Sequence, residues 1–239
     1  MSESFSLASA GRAIDGAISR LVHDLVTPAL PPTQERNAAL GRYRAAREQT
    51  IAIICNLTQT QADFKPTPDV WSVSQVVEHL LLTEDLYREQ IQQMIAMAKR
   101  GDRTNIELSF REINTAVAYV PRGVMPLLTV PLNIFNVFVP QAIREAMFRV
   151  PLIPALAPSV SSPAASQPIA ELRRRAVSSI AATEAVFRGD LPVNIDRMTL
   201  SHPILGTNNI AQIFGIMAAH EERHHGQMRG VIGNPRFPR

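Results

Sequence analysis

Four long segments of this 239-residue chain repeat apolar residues at helical spacing, and no segment shows the convincing alternation of a half-buried strand. Residues three and four apart share one face of a helix, so each segment predicts an amphipathic helix that must bury that face. The predicted helices span residues 33–57, 72–99, 168–188 and 208–230. Together they predict an all-α chain whose simplest architecture is a four-helix bundle.

Helix-capping residues stand at two of the predicted helix starts. Ser72 and Gln75 form a capping box, in which the serine hydroxyl accepts a hydrogen bond from the N3 amide and the glutamine reaches back. Trp71 and Val76 are spaced for the hydrophobic staple that accompanies such a box. Asn208 is of a residue type preferred at an N-cap, so it predicts the start of the last helix.

Two parts of the chain fall outside the four helices. Residues 1–32 predict an N-terminal helical extension, because residues 12–26 have helical periodicity and prolines follow them. Residues 33–239 then form the bundle. An insert at about residues 113–168, between the second and third bundle helices, holds nine of the 18 prolines. Residues 190–206 predict a turn-rich link.

Part of the insert is strongly apolar. Residues 123–143 carry no charged side chain and are long enough to span a membrane, but three prolines and two asparagines interrupt them. We therefore expect no membrane contact. The segment is too apolar to remain in water, so we expect it to dock on the bundle or on a second copy of the chain, as a homodimer.

The amino-acid composition limits the kinds of partner and the cellular compartment that we expect. The net charge is only +3, the basic residues are scattered, and 5% of residues are aromatic, so we expect no nucleic-acid partner. Cys55 is the single cysteine, which excludes an internal disulfide. We expect it to be buried in its apolar run. Without a signal-peptide pattern, the chain is expected to be cytoplasmic.

Three histidines are placed on inward faces of predicted helices. His220 and His224 are four residues apart and continue one apolar seam of the last helix, together with Gln227. His79 lies on the inward face of the second bundle helix. Three imidazoles on two helices would leave open positions at one metal ion, as in catalytic zinc sites. The alternative, hydrogen-bonded core histidines, remains open at this point. His225 is one step off the seam, and we expect it at the rim.

The run from His220 to His224 also matches the zinc-protease pattern H-E-x-x-H, with Glu221 as the base. Such a protease needs a third metal ligand downstream. After His225 the sequence contains no His, Asp or Glu, so we reject this interpretation. Glu221 is then expected to face solvent or to orient a metal ligand.

Three short motifs carry a family resemblance. They are Trp71 to Leu80 (WSVSQVVEHL), His202 to Gly206 (HPILG) and His220 to Gln227 (HEERHHGQ). In order, spacing and helix position they resemble the DinB-like superfamily, over about residues 33–232. The resemblance implies a bundle with an up-down-down-up crossover. It also implies a metal triad, which falls here on His79, His220 and His224. The N-terminal extension and the insert depart from the family pattern.

The resemblance also implies a function. It favours a divalent-metal-binding protein that acts on a small-molecule substrate, as a metal-dependent hydrolase or as a thiol S-transferase that uses a low-molecular-weight thiol. We expect one zinc ion, with nickel or iron as alternatives. Glu78, Glu221 and Gln227 are candidates for orienting the ligands. The alternatives are a non-enzymatic stress-response bundle that binds metal or another ligand, and a protein that docks on a membrane surface through residues 123–143.

Overall fold

The computed structural model describes residues 31–102, 105–107, 116–117, 155–156, 162–163, 166–188, 190–192, 195–202 and 206–239. The predicted helix of the N-terminal extension and the apolar run 123–143 lie outside the described residues.

All four predicted long helices are present, with ends within three residues of those expected from the sequence. They are α1 (Pro32–Ile54), α3 (Val73–Lys99), α4 (Ile169–Ala185) and α5 (Ile210–Ile232), with the short α2 (Gln59–Ala62) after α1. Helix α1 packs against α5 and α4, and α3 packs against the same two helices. The buried apolar side chains form two clusters, one around Tyr43 and Phe214 and the other around Leu81 and Leu172. The up-down-down-up crossover stays a prediction.

The two predicted helix starts have different outcomes. At α3 the capping box is confirmed, because Ser72 accepts from the amide of Gln75 and the Gln75 side chain accepts from the amide of Ser72. At α5 the predicted N-cap is wrong by one residue. Asn208 lies in a strand and pairs with Leu200, and Asn209 forms the capping box with Gln212.

The expectation of no strands was wrong. The described residues include five short strands: β1 (Asn105–Glu107), β2 (Ala116–Val117), β3 (Ala155–Leu156), β4 (Thr199–His202) and β5 (Gly206–Asn209). Strand β4 pairs with β1 in parallel and with β5 in antiparallel orientation, and β2 pairs with β3. Strands of two to four residues are too short for their periodicity to be recognised in a sequence.

The small sheet positions the start of α5. Strand β5 ends at Asn209, which is itself the N-cap of the helix, so the β4–β5 ladder holds the first turn of α5. A turn of 3₁₀-helix, Ile195–Arg197, precedes β4, so the predicted link is more ordered than a loop. Gly206 begins β5 with a φ of 72°, a conformation that favours glycine.

One further observation concerns the surface of α1. Cys55 is exposed at the end of α1, so the expectation of its burial was wrong. It follows the last helical residue, and its thiol donates to the carbonyl of Ala52 rather than entering the core.

None of the helices in the described ranges is long and apolar enough to cross a membrane.

Candidate metal centre

The three predicted ligands lie on the two helices expected to carry them. His79 belongs to α3, in the second turn after its N-cap at Ser72. His220 and His224 are one turn apart on α5. His79 is 5% exposed and His224 is 7% exposed, whereas His220 is partly exposed. Among the three residues, His220 is therefore the most exposed.

The ring nitrogens of the three histidines converge on one point. His79 Nε2 lies 3.2 Å from His220 Nε2, and His224 Nε2 lies 3.1 Å from the same atom. All three ligand atoms lie within 4.8 Å of one another. Two nitrogens bound tetrahedrally to zinc, at about 2.0–2.1 Å each, would stand about 3.3 Å apart. The donor set therefore fits one divalent metal ion.

Gln227 fixes the orientation of one ring. The His224 Nδ1 atom lies 2.8 Å from Gln227 Oε1, so Nδ1 carries the hydrogen and donates it. The Nε2 atom of His224 then presents a lone pair to the triad. This contact places Gln227 where a group that orients a metal ligand belongs.

Hydrogen bonds among the three histidines would satisfy their ring nitrogens less completely than a metal ion would. With His224 as an acceptor at Nε2, only His220 or His79 can bring a hydrogen to the centre. One Nε2–H group donates at full strength to a single neighbour, whereas a metal ion accepts a lone pair from each of the three rings. The geometry therefore favours the metal site over three hydrogen-bonded core histidines.

Burial keeps the rings of His220 and His224 neutral. It lowers the pKa of His224 to about 3, and the neighbouring His79 adds to the effect. Burial, followed by the charges that His224 and His79 would carry, also holds the pKa of His220 well below its usual value. Neutral imidazole is the form that binds metals, so His220 and His224 are in the metal-binding form at physiological pH.

Trp71 covers one ring of the triad. Its ring centroid lies 5.1 Å from that of His79, at an interplanar angle of 55°. Trp71 was predicted only as part of the hydrophobic staple at the start of α3. Its contact with His79 could have been suspected, because the two residues are eight positions apart, about two helical turns.

Glu221 is buried, so the expectation of solvent exposure was wrong. Its side chain is 2% exposed. Its Oε1 atom accepts a hydrogen bond of 2.7 Å from Arg47 Nε, and its Oε2 atom accepts a short one from the Thr50 hydroxyl. Arg47 and Thr50 both belong to α1. The carboxylate is therefore held by α1, although Glu221 follows His220 directly in the sequence.

Sequence reasoning missed the buried ion network to which Glu221 belongs. Arg47 Nη1 lies 3.1 Å from Glu84 Oε2 on α3, and both side chains are 1% exposed. Thr183 on α4 donates a 2.5 Å hydrogen bond to Glu84 Oε1. The network thus joins all four long helices. A signal was present, because Arg47 stands four residues after Tyr43 on the apolar face of α1.

Two other residues considered in the sequence, His225 and Glu78, are both buried. His225, expected at the rim, is instead 2% exposed, and its Nε2 atom lies 2.9 Å from the Thr50 hydroxyl. Glu78 is buried on α3. In the described part of the chain, the group of converging metal-ligand atoms consists of the three histidines and includes no carboxylate.

Comparison with known proteins identifies the family. A model of the DinB superfamily matches residues 42–228, a range that contains the three histidines and most of the helical bundle. Comparisons with curated proteins and with solved structures gave no match. The family match confirms the resemblance carried by the three sequence motifs. The chain belongs to the DinB superfamily.

Proposed function

We propose that this protein binds one divalent metal ion through His79, His220 and His224, and that the loaded protein is an enzyme acting on a small molecule. The observation that carries the proposal is the convergence of the three Nε2 atoms, with His220 Nε2 3.2 Å and 3.1 Å from the other two. Three protein ligands leave a coordination position open, as in catalytic zinc centres. Zinc fits the all-nitrogen donor set, with nickel and iron as alternatives.

Hydrolysis and thiol transfer are the two reaction classes that suit such a centre. A bound divalent ion makes a coordinated water or thiol more acidic at neutral pH. The protein's own part is to present three imidazoles and to fix the His224 ring through Gln227. A low-molecular-weight thiol is the proposed substrate or co-substrate for the transfer reaction.

A second candidate is a non-enzymatic protein that binds metal or another ligand. One observation favours it: the cavity beside His220 has room for only about one water molecule. His79 and His224 are also buried and His220 is only partly exposed, so the centre offers little open surface to a substrate.

Metal analysis of the purified protein tests the binding step. We expect about one metal ion per chain in the wild type and loss of that ion in His79→Ala and His220→Ala. His225→Gln is the matched control, because His225 lies on the same helix but contacts Thr50 instead of the triad. Full metal content in the His79→Ala/His220→Ala double variant would contradict the proposal.

Cobalt substitution separates the enzyme from the binding protein. A thiol that reaches an open coordination position gives Co²⁺ a sulfur-to-metal charge-transfer band in the near ultraviolet. We expect this band when a small thiol is added to the cobalt-loaded wild type. An unchanged spectrum, together with no hydrolase or thiol-transfer turnover, would favour the non-enzymatic candidate.

A further inference from the structure

Local helix geometry sets one distance in the triad and leaves the other two open. His220 and His224 share a face of α5 because of their spacing, but the distance from either ring to His79 depends on how α3 lies against α5. A metal site requires its ligand atoms to be held within about 0.5 Å of the productive geometry. The centre therefore needs a group that fixes α3 relative to α5 close to the ligands.

Arg47 of α1 is bonded to both of these helices. Its Nε atom donates a 2.7 Å hydrogen bond to Glu221 Oε1 on α5, and its Nη2 atom forms a short ion pair with the same oxygen. Its Nη1 atom lies 3.1 Å from Glu84 Oε2 on α3. The guanidinium group is planar and rigid, so it holds the two carboxylates at a fixed separation.

The two carboxylates are close in the sequence to the predicted ligands. Glu221 directly follows His220, and Glu84 follows His79 by five residues, about 7.5 Å along the axis of α3. Arg47, both carboxylates and His220 also line one small cavity. The arginine bridge therefore lies next to the triad, and a shift of either carboxylate moves the helix segment that carries a ligand.

Burial determines what this bridge contributes. The side chains of Arg47 and Glu84 are 1% exposed, and that of Glu221 is 2% exposed. The cost of removing such charges from water offsets much of their attraction, so a buried ion network adds little net stability compared with apolar packing. Its directional bonds can nevertheless fix one arrangement of the helices, and we take this to be its main contribution here.

We propose that Arg47 is a positioning residue, which through Glu221 and Glu84 sets the separation of α5 and α3 at which the three histidines bind one divalent metal ion. The inference rests on the proposed metal site, and it adds a residue of α1, a helix that carries none of the three ligands. The position of the guanidinium depends on its acceptor atoms more than on their charge. A glutamine at either carboxylate position therefore still holds it in place.

The metal affinity of Arg47→Lys, measured by competition with a chelator, tests the proposal. Lysine keeps the charge, but its single nitrogen cannot bind both carboxylates in the geometry of the guanidinium fork. We expect roughly 10- to 100-fold weaker binding and a shift in the visible bands of bound Co²⁺, which report ligand geometry. Arg36→Lys is the matched control, because Arg36 is a second buried arginine of α1, about 16 Å away along the helix, and pairs with Asp196. It should change neither the affinity nor the spectrum.

Two variants of Glu221 give a second test that does not depend on the folding of Arg47→Lys. Glu221→Ala removes the acceptor for Arg47 and should bind metal at least about tenfold more weakly than Glu221→Gln, which keeps an acceptor. Lost stability alone does not change the affinity of a chain that stays folded in the assay, and circular dichroism checks the folding of each variant.

The outcomes separate this inference from the proposed metal site. Wild-type affinity in Arg47→Lys, or equal affinities in the two Glu221 variants, would overturn the role of Arg47 and leave the metal site standing. A wild-type protein that binds no metal would overturn both.

Discussion

The carboxylate of Glu221 binds Arg47 and Thr50 of α1. The preceding residue, His220, instead directs its ring towards His79 and His224. Successive residues on a helix point about 100° apart, so the two side chains serve different faces. We infer that Glu221 fixes the position of α5 against α1 and is not a protease base. A protease base would instead have to stand beside the metal and its water.

We predict that Glu221→Gln retains the metal and loses stability. The change removes the charge that pairs with Arg47, while Glu84 still neutralises the guanidinium. We expect a loss of about 1–3 kcal/mol in the free energy of unfolding, measured with denaturant. Glu222→Gln, at an exposed position, is the control and should change stability by no more than about 0.5 kcal/mol. If wild-type protein cleaves peptides and Glu221→Gln does not, our interpretation of Glu221 is wrong.

The three triad positions could be predicted from the sequence, but their surroundings could not. His220 and His224 share a helix face whatever the rest of the fold does, because their spacing is local. The pairing of Arg47 with Glu84 and Glu221 depends on which faces of α1, α3 and α5 meet. That arrangement is tertiary, and a single sequence does not encode it in any spacing.

At the scale of elements, the start of α3 determines where His79 lies. Ser72 and Gln75 fix the first turn of the helix, and His79 follows in the second turn. The cap was predictable because its signature is local. The β4–β5 ladder that leads into α5 was not, because its strands have only four residues each and are defined by pairing with each other.

We predict that Ser72→Ala destabilises the protein by about 1 kcal/mol, because the N3 amide of α3 loses its side-chain acceptor. The measurement is the free energy of unfolding in denaturant. Ser178→Ala on the exposed surface of α4 is the matched control and should cost no more than about 0.5 kcal/mol. Equal stability of Ser72→Ala and wild type would mean that the capping box contributes nothing to the fold.

At the scale of the whole molecule, the lowered pKa values of His220 and His224 link stability to pH. The pKa of His224 falls from an ordinary 6.5 to about 3 on folding, and that of His220 falls in the same direction. Below pH 6.5 the unfolded chain therefore binds protons that the folded, metal-free chain does not. Stability should be unaffected by these groups above that pH and should decrease as the pH is lowered through this window.

We predict that His224 alone reduces the free energy of unfolding of the metal-free protein by about 2.5 kcal/mol between pH 7 and pH 4.5. Denaturant unfolding across this range measures the change, and comparison with His224→Gln isolates the histidine from the carboxylates. A wild-type pH profile parallel to that of His224→Gln would contradict the assignment of a low pKa to His224.

The apolar run 123–143 leads to a prediction about assembly. Its apolar side chains are unfavourable in water, and packing against a second copy of the chain would bury them. We expect light scattering to show a homodimer for the intact chain and a monomer after deletion of residues 123–143. Monomers in both cases would remove the dimer interface. Tight binding of the intact chain to liposomes would favour docking on a membrane surface instead.

The most direct test of the central claim is an anomalous difference map from crystals of the metal-loaded protein, recorded at the absorption edge of the bound metal. We predict one peak per chain, about 2.0–2.2 Å from the Nε2 atoms of His79, His220 and His224. Those three atoms already converge within 4.8 Å of one another. A fully loaded protein with no peak at the triad, or with its peak at another position, would contradict the account.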